Sequence, residues 1–275
     1  MTRLESALSG VRLWPHHVDT VRRTIAHFEG AHEVQALLLG GSLVHGYAGE
    51  HSDVDIVIVV DEAEFARREA VPALTFLSHE LATYEGGYVD GKFVSTGFLA
   101  AVAARGSDAT RWGYDNARIL FSRVPELEAV LGEITAFPRA EGRERRTRFA
   151  AQLLAWRWYF EQGWEKGDPY LRGVSLNRVV LYACRLILNL NEQLYPFHKW
   201  LLRVTADAEN RPPQLMDDIQ ALYADPTLDR VNALVDVTLA HCDIDREAAD
   251  RDWGAWFVRD TELSWMAGSA SVDDL

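Results

Sequence analysis

The hydrophobic pattern divides the chain into a strand-rich first half and a helix-rich second half. Residues Val18, Val21, Ile25 and Phe28 recur at three-to-four spacing between Pro15 and Gly30, which predicts an amphipathic helix. Two nearly uninterrupted aliphatic runs follow, 34–39 and 56–60, and read as buried strands. Asp61-Glu62-Ala63-Glu64-Phe65 opens another helical segment, which Pro72 must interrupt. Asp90-Gly91 between β-favouring residues predicts a hairpin over 88–94, with a strand over 93–98 lying beside the second aliphatic run. A short apolar run at 117–121 predicts a last edge strand, and a helical pattern from Pro125 to Leu131 marks the approach to a second domain.

Beyond that point only helical periodicities appear. An aromatic-rich helix is expected over 149–164, a strongly apolar one over 175–194, a new one starting at Pro196, and further helices at 215–223 and 252–257. The fold class expected is α+β, with an N-terminal mixed-sheet domain over 1–125 and a helical domain over 126–275. The acidic tail at 267–275 is expected to fray.

The chemistry concentrates where the two aliphatic runs meet polar residues. Gly40-Gly41-Ser42 ends the first run, and Asp53-Val54-Asp55 heads the second after ten intervening residues. Side chains alternate along a strand, so Asp53 and Asp55 project from one face with Cα atoms about 6.6 Å apart. Two such carboxylates can share a divalent ion, and an oxygen-only donor set suits Mg²⁺ or Mn²⁺. The double glycine lets backbone approach a ligand closely, Ser42 reads as a helix cap, and amides in such a turn can hold an anion.

Gly-Gly-Ser, a ten-residue gap and Asp-x-Asp on a strand resemble the signature of the DNA polymerase β-like nucleotidyltransferases, and most nearly the small bacterial two-domain members that modify aminoglycosides and lincosamides. The resemblance rests on residues 37–60. It implies a mixed sheet carrying the two aspartates as catalytic and metal-binding residues, Gly41 and Ser42 contacting nucleotide phosphates, and a helical domain that closes the cleft. It also implies ATP or another nucleoside triphosphate as co-substrate. The segment His198-Lys199-Trp200 is similar to one in the helical domains of bacterial nucleotidyltransferases. That similarity makes Lys199, in the first turn of its helix, a candidate for the β- and γ-phosphates.

The family pattern often has a third carboxylate on the neighbouring strand, and alignment puts Ser95 there. Asp90 is the nearest acid, although an Asp-Gly turn accounts for it structurally; Glu80 and Glu85 are the other candidates, and the general base stays unassigned.

Composition narrows the partners. A net charge of −13, from 41 acidic and 28 basic residues, works against an extended nucleic-acid surface and suits a polycationic small molecule. The one basic cluster, Arg139, Arg143, Arg145, Arg146 and Arg148, is either a solvated helix face or a phosphate or RNA contact. Cys184 and Cys242 have no metal-ligand spacing. Met1-Thr2-Arg3-Leu4-Glu5-Ser6 lacks an apolar signal region and no apolar run reaches about eighteen residues, so a cytoplasmic protein without a membrane span is expected. The expected function is metal-dependent transfer of a nucleoside monophosphate, AMP from ATP, to a hydroxyl of a small-molecule acceptor such as an antibiotic, which would confer resistance. Two alternatives stand beside it: a toxin-like or regulatory transferase acting on tRNA or protein, and a nucleotide-binding regulator that has lost catalysis.

Overall fold

A computed structural model describes residues 3–267; the tail expectation for 267–275 falls almost wholly outside the described residues. The chain separates into two compact units, one of residues up to 106 together with 110–136, the other of 107–109 together with 137 onward.

The first unit is built on a five-stranded mixed sheet. Its strands are β1 (Val34–Leu39), β2 (Val54–Val60), β3 (Thr75–Ser78), β4 (Val89–Ser95) and β5 (Arg118–Ser122), in the order β3-β4-β2-β1-β5. Only β2 and β4 run parallel; β1 is antiparallel to both β2 and β5, and β3 to β4. Helices cover both faces, which is why β1 and β2 read as continuous aliphatic runs. On one face Leu37, Leu39, Ile56, Ile58 and Val60 pack with Val21 and Phe28 of helix Pro15–Phe28. On the other, Ala36, Leu38, Val57, Val59 and Val94 pack with Leu99, Val102, Leu131 and Ile134 of helices Thr96–Arg105 and Leu127–Thr135. Asp53 and Asp55 continue this second face beyond its apolar cover, so the sheet tolerates charge at the start of β2.

Three local expectations are corrected. Asp90-Gly91 makes no hairpin: β4 runs straight through both residues, paired with β2 on one side and β3 on the other. Gly91 is there for close approach, since a Cβ would sit 2.6 Å from Ile56 Cγ1. The strand expected over 93–98 ends at Ser95, whose Oγ accepts from Phe98 N at 3.0 Å and caps the following helix. Ser42 is no cap, because Gly40 occupies that position and the helix Gly41–His45 already contains Ser42.

The second unit is helical: Gly142–Glu165, Pro169–Leu190, Phe197–Asp207, Leu215–Ala224, Leu228–His241 and Arg246–Phe257 are its longer helices. Pro169–Leu190 is long and apolar enough to cross a membrane by length and composition, the one such helix among the described residues, and about 67% of its apolar window is buried. A buried charge cluster ties segment 107–109 to this unit. Asp108, 3% exposed, accepts from Arg145 Nη1 at 2.7 Å and lies 3.8 Å from Arg185 Nη2. Asp108→Ala removes the buried carboxylate that faces two buried guanidiniums, Arg145 keeping its bond to Glu141, and is expected to cost about 3 kcal/mol, seen in a thermal melt as a loss of about 10 °C. A shift under about 2 °C would mean the arginines re-pair or hydrate.

Candidate functional site

The site begins with the register between the two parallel strands. Asp55 on β2 stands opposite Asp90 on β4, and partners in a parallel ladder face the same side. Asp53, Asp55 and Asp90 thus converge, each offering an oxygen within 4.8 Å of the others. The first two are half-buried and Asp90 is exposed. Glu80 and Glu85 are exposed and stand outside this cluster.

The Gly40-Gly41 turn closes over Asp55. Gly40 N donates to the Asp55 backbone oxygen at 2.9 Å, and Gly41, with φ of +65°, presses its Cα against the Asp55 carboxylate. Ser42 is 6% exposed, and its carbonyl accepts from Tyr47 N at 3.0 Å. A cavity of about 320 Å³ opens here, lined by Gly40, Gly41, Asp55, Asp90, Lys92 and Gly113 among others.

Neighbouring side chains fix the acids. The Ser52 carbonyl, one residue before Asp53, accepts from Tyr84 Oη at 2.5 Å and from His17 Nε2 at 3.0 Å. Burial holds the His17 imidazole below its ordinary pKa, which favours the neutral ring. Tyr88, two residues before Asp90 and just ahead of β4, hydrogen-bonds Asp53, and the charge on Asp53 is the largest cause raising its phenol pKa. Lys92, two residues after Asp90, is the cation on that face. Desolvation lowers its pKa and the Asp55 carboxylate opposes the drop. Sequence reasoning passes over Tyr88 and Lys92. The signal that finds them is period-two spacing about Asp90, which has meaning only once Val89–Ser95 is one strand, with Tyr88 leading into it, rather than a hairpin.

Lys199 lies in the helical unit as the third residue of helix Phe197–Asp207, exposed, with Nζ 5.3 Å from the centre of the Trp200 ring. The arginine cluster in the same unit is largely engaged. Arg139 pairs with Glu192, Arg145 with Asp108 and Glu141, Arg148 with Asp260, and Arg146 donates to the Cys242 carbonyl.

Residues 18–93 match the family model described as the nucleotidyltransferase domain, a span that contains all three aspartates and Lys92. Residues 18–93 therefore carry a polymerase β-like nucleotidyltransferase domain, which supports a nucleotidyltransferase activity. Among solved structures it is similar to a nucleotidyltransferase-like protein from Exiguobacterium sibiricum 255-15, at 12% identity, 86% of this chain, 77% of the other and a TM-score of 0.48. It is also similar to the apo form of a CCA-adding enzyme, at 15% identity, 98% of this chain, 79% of the other and a TM-score of 0.28. No curated protein matches the sequence.

Proposed function

Taking the nucleotidyltransferase domain as premise, we propose that the protein moves a nucleoside monophosphate, AMP from ATP, onto a hydroxyl of a small-molecule acceptor in the cytoplasm. The observation that carries this reading is the convergence of Asp53, Asp55 and Asp90 on one sheet face beside the Gly40-Gly41 turn. The donor set fits a hard cation: three carboxylates within 4.8 Å of one another, no nitrogen or sulfur among them, and an open cavity alongside. Asp53 and Asp55 are the residues that hold Mg²⁺ or Mn²⁺. When bound, the ion neutralises charge on the triphosphate and lowers the pKa of the acceptor hydroxyl.

The chain's own groups do the rest. Asp90 receives the proton of the acceptor hydroxyl as its oxygen bonds to the α-phosphorus. The bond from that phosphorus to the bridging oxygen breaks, and pyrophosphate leaves with its electron pair. Gly41 and Ser42 orient the triphosphate through the turn, with no side chain at Gly41 to intervene.

A cationic, antibiotic-like acceptor suits the net charge of −13 and the prior engagement of four of the five clustered arginines, which removes much of the free basic surface an RNA substrate requires. The place of Asp90 beside the other two acids supports a working transferase over a silent regulator.

The test incubates the protein with Mg²⁺ and each labelled triphosphate against pooled aminoglycosides, lincosamides, tRNA and cell protein, following pyrophosphate release and label together. Label from ATP on a small molecule is the expected result. Label on RNA or protein moves the acceptor to a macromolecule, and nucleotide binding without transfer to any pool overturns the reading.

A further inference from the structure

Three converging carboxylates concentrate negative charge, and one basic side chain lines the cavity beside them, Lys92. It follows Asp90 by two residues on β4, so both side chains leave the same sheet face. Across the ladder it stands opposite Val57, two residues beyond Asp55 on the same face of β2. A surface lysine ordinarily lays its stem along apolar atoms and extends its head to water. Lys92 instead is half-buried, with Nζ 4.8 Å from the centre of the Tyr114 ring. Tyr114 is 1% exposed, and its hydroxyl has no hydrogen-bond partner among the described residues. The lysine head therefore rests on an aromatic wall and within the field of Asp55, where burial disfavours the ammonium and the carboxylate favours it.

We propose that Lys92 is the counter-ion of the carboxylate cluster and a nucleotide-binding residue of the transfer site: it balances Asp55 when no divalent ion is bound, and meets the phosphates of the nucleotide when one is. The proposal rests on the transfer reading above and adds a residue and a role to it. Its content is a pair of effects with opposite signs. A fixed positive charge close to a dication opposes metal binding, so removing it tightens the metal. The same charge attracts a polyanionic nucleotide, so removing it weakens the nucleotide. A lysine that only packs against Tyr114 moves neither.

The experiment compares wild type with Lys92→Met, which keeps the stem and drops the charge, and Lys92→Arg, which keeps the charge; Lys92→Gln serves if the methionine variant does not fold. Mn²⁺ affinity is measured by electron paramagnetic resonance without nucleotide, and the KM for ATP by pyrophosphate release at saturating Mn²⁺. Lys92→Met is expected to bind Mn²⁺ on the order of tenfold more tightly and to raise the KM on the order of tenfold, with Lys92→Arg close to wild type on both. Unchanged affinities, or two shifts in the same direction, overturn the role of Lys92 while leaving the transfer reading standing. Wild-type protein that binds no Mn²⁺ overturns the transfer reading, and this proposal with it.

Discussion

Asp90→Asn is expected to lower nucleotidyl transfer by about a thousandfold, and the Asp53→Asn/Asp55→Asn double variant to abolish it, with neither change lowering the melting temperature measured without divalent ions. Asparagine keeps the volume and one oxygen of aspartate and removes the charge. In the ion-free protein the three carboxylates present oxygens within 4.8 Å of one another and face one ammonium, Lys92, so on balance removing carboxylate charge relieves like-charge repulsion and leaves stability close to level. With Mg²⁺ the sign reverses. A dication that binds the folded chain raises the melting temperature of the wild type by mass action, and the double variant loses that rise along with its ligands. Asp90→Asn separates two roles for the third acid. A base contributes to the rate and leaves the Mg²⁺-induced rise in place, whereas a metal ligand diminishes both. Wild-type transfer by Asp90→Asn would place proton acceptance elsewhere, and metal-dependent transfer by the double variant would overturn the mechanism.

What was legible in the sequence, and what was not, follows from the range of the forces involved. Helix Pro15–Phe28 and strands β1 and β2 were legible because each is specified by its own apolar pattern and by residues that bound it, Pro15 and Gly30, Gly40, and Asp61 in turn. The shared face of Asp53 and Asp55 follows from alternation within one strand. Asp90 was obscured because Asp-Gly is strong turn chemistry when read locally. Here that preference yields to a close approach between Gly91 and Ile56, 35 residues earlier in the chain. The third carboxylate is a fact of register, Asp55 opposite Asp90, and no local pattern encodes register across a parallel pair with an intervening strand and helix. Strand β3 was hidden for a related reason: it is four residues long, at the sheet edge and half exposed, so it carries too few apolar positions to announce itself. The arginines of 139–148 read as an open basic face because their partners, Asp108, Glu192 and Asp260, lie 37 to 112 residues away.

Gly41→Ala is expected to disable the site more than the fold. Its φ of +65° alone costs an alanine roughly 1 kcal/mol. The larger effect is steric and specific: the new Cβ would lie 1.8 Å from Asp55 Oδ2 and 2.4 Å from its Cγ, so one of the two must move. The backbone on both sides is tied, because Gly40 N donates to the Asp55 carbonyl and Asp55 is in the β2–β4 ladder. The freest element is the Asp55 side chain, and turning it aside takes its carboxylate out of the cluster with Asp53 and Asp90. Mn²⁺ affinity and transfer should therefore fall together by about a hundredfold or more, while the melting temperature drops by only a few degrees. A double-mutant cycle isolates the cause. In an Asp55→Ala background, where Oδ2 and Cγ are absent, adding Gly41→Ala should cost markedly less stability than it does in the wild type, leaving the backbone strain and the residual Cβ contact. Equal costs in the two backgrounds would mean that the turn, rather than the carboxylate, absorbs the added methyl. Retained Mn²⁺ binding and transfer in the single variant would mean that the close approach of Gly41 to Asp55 has no part in shaping the site.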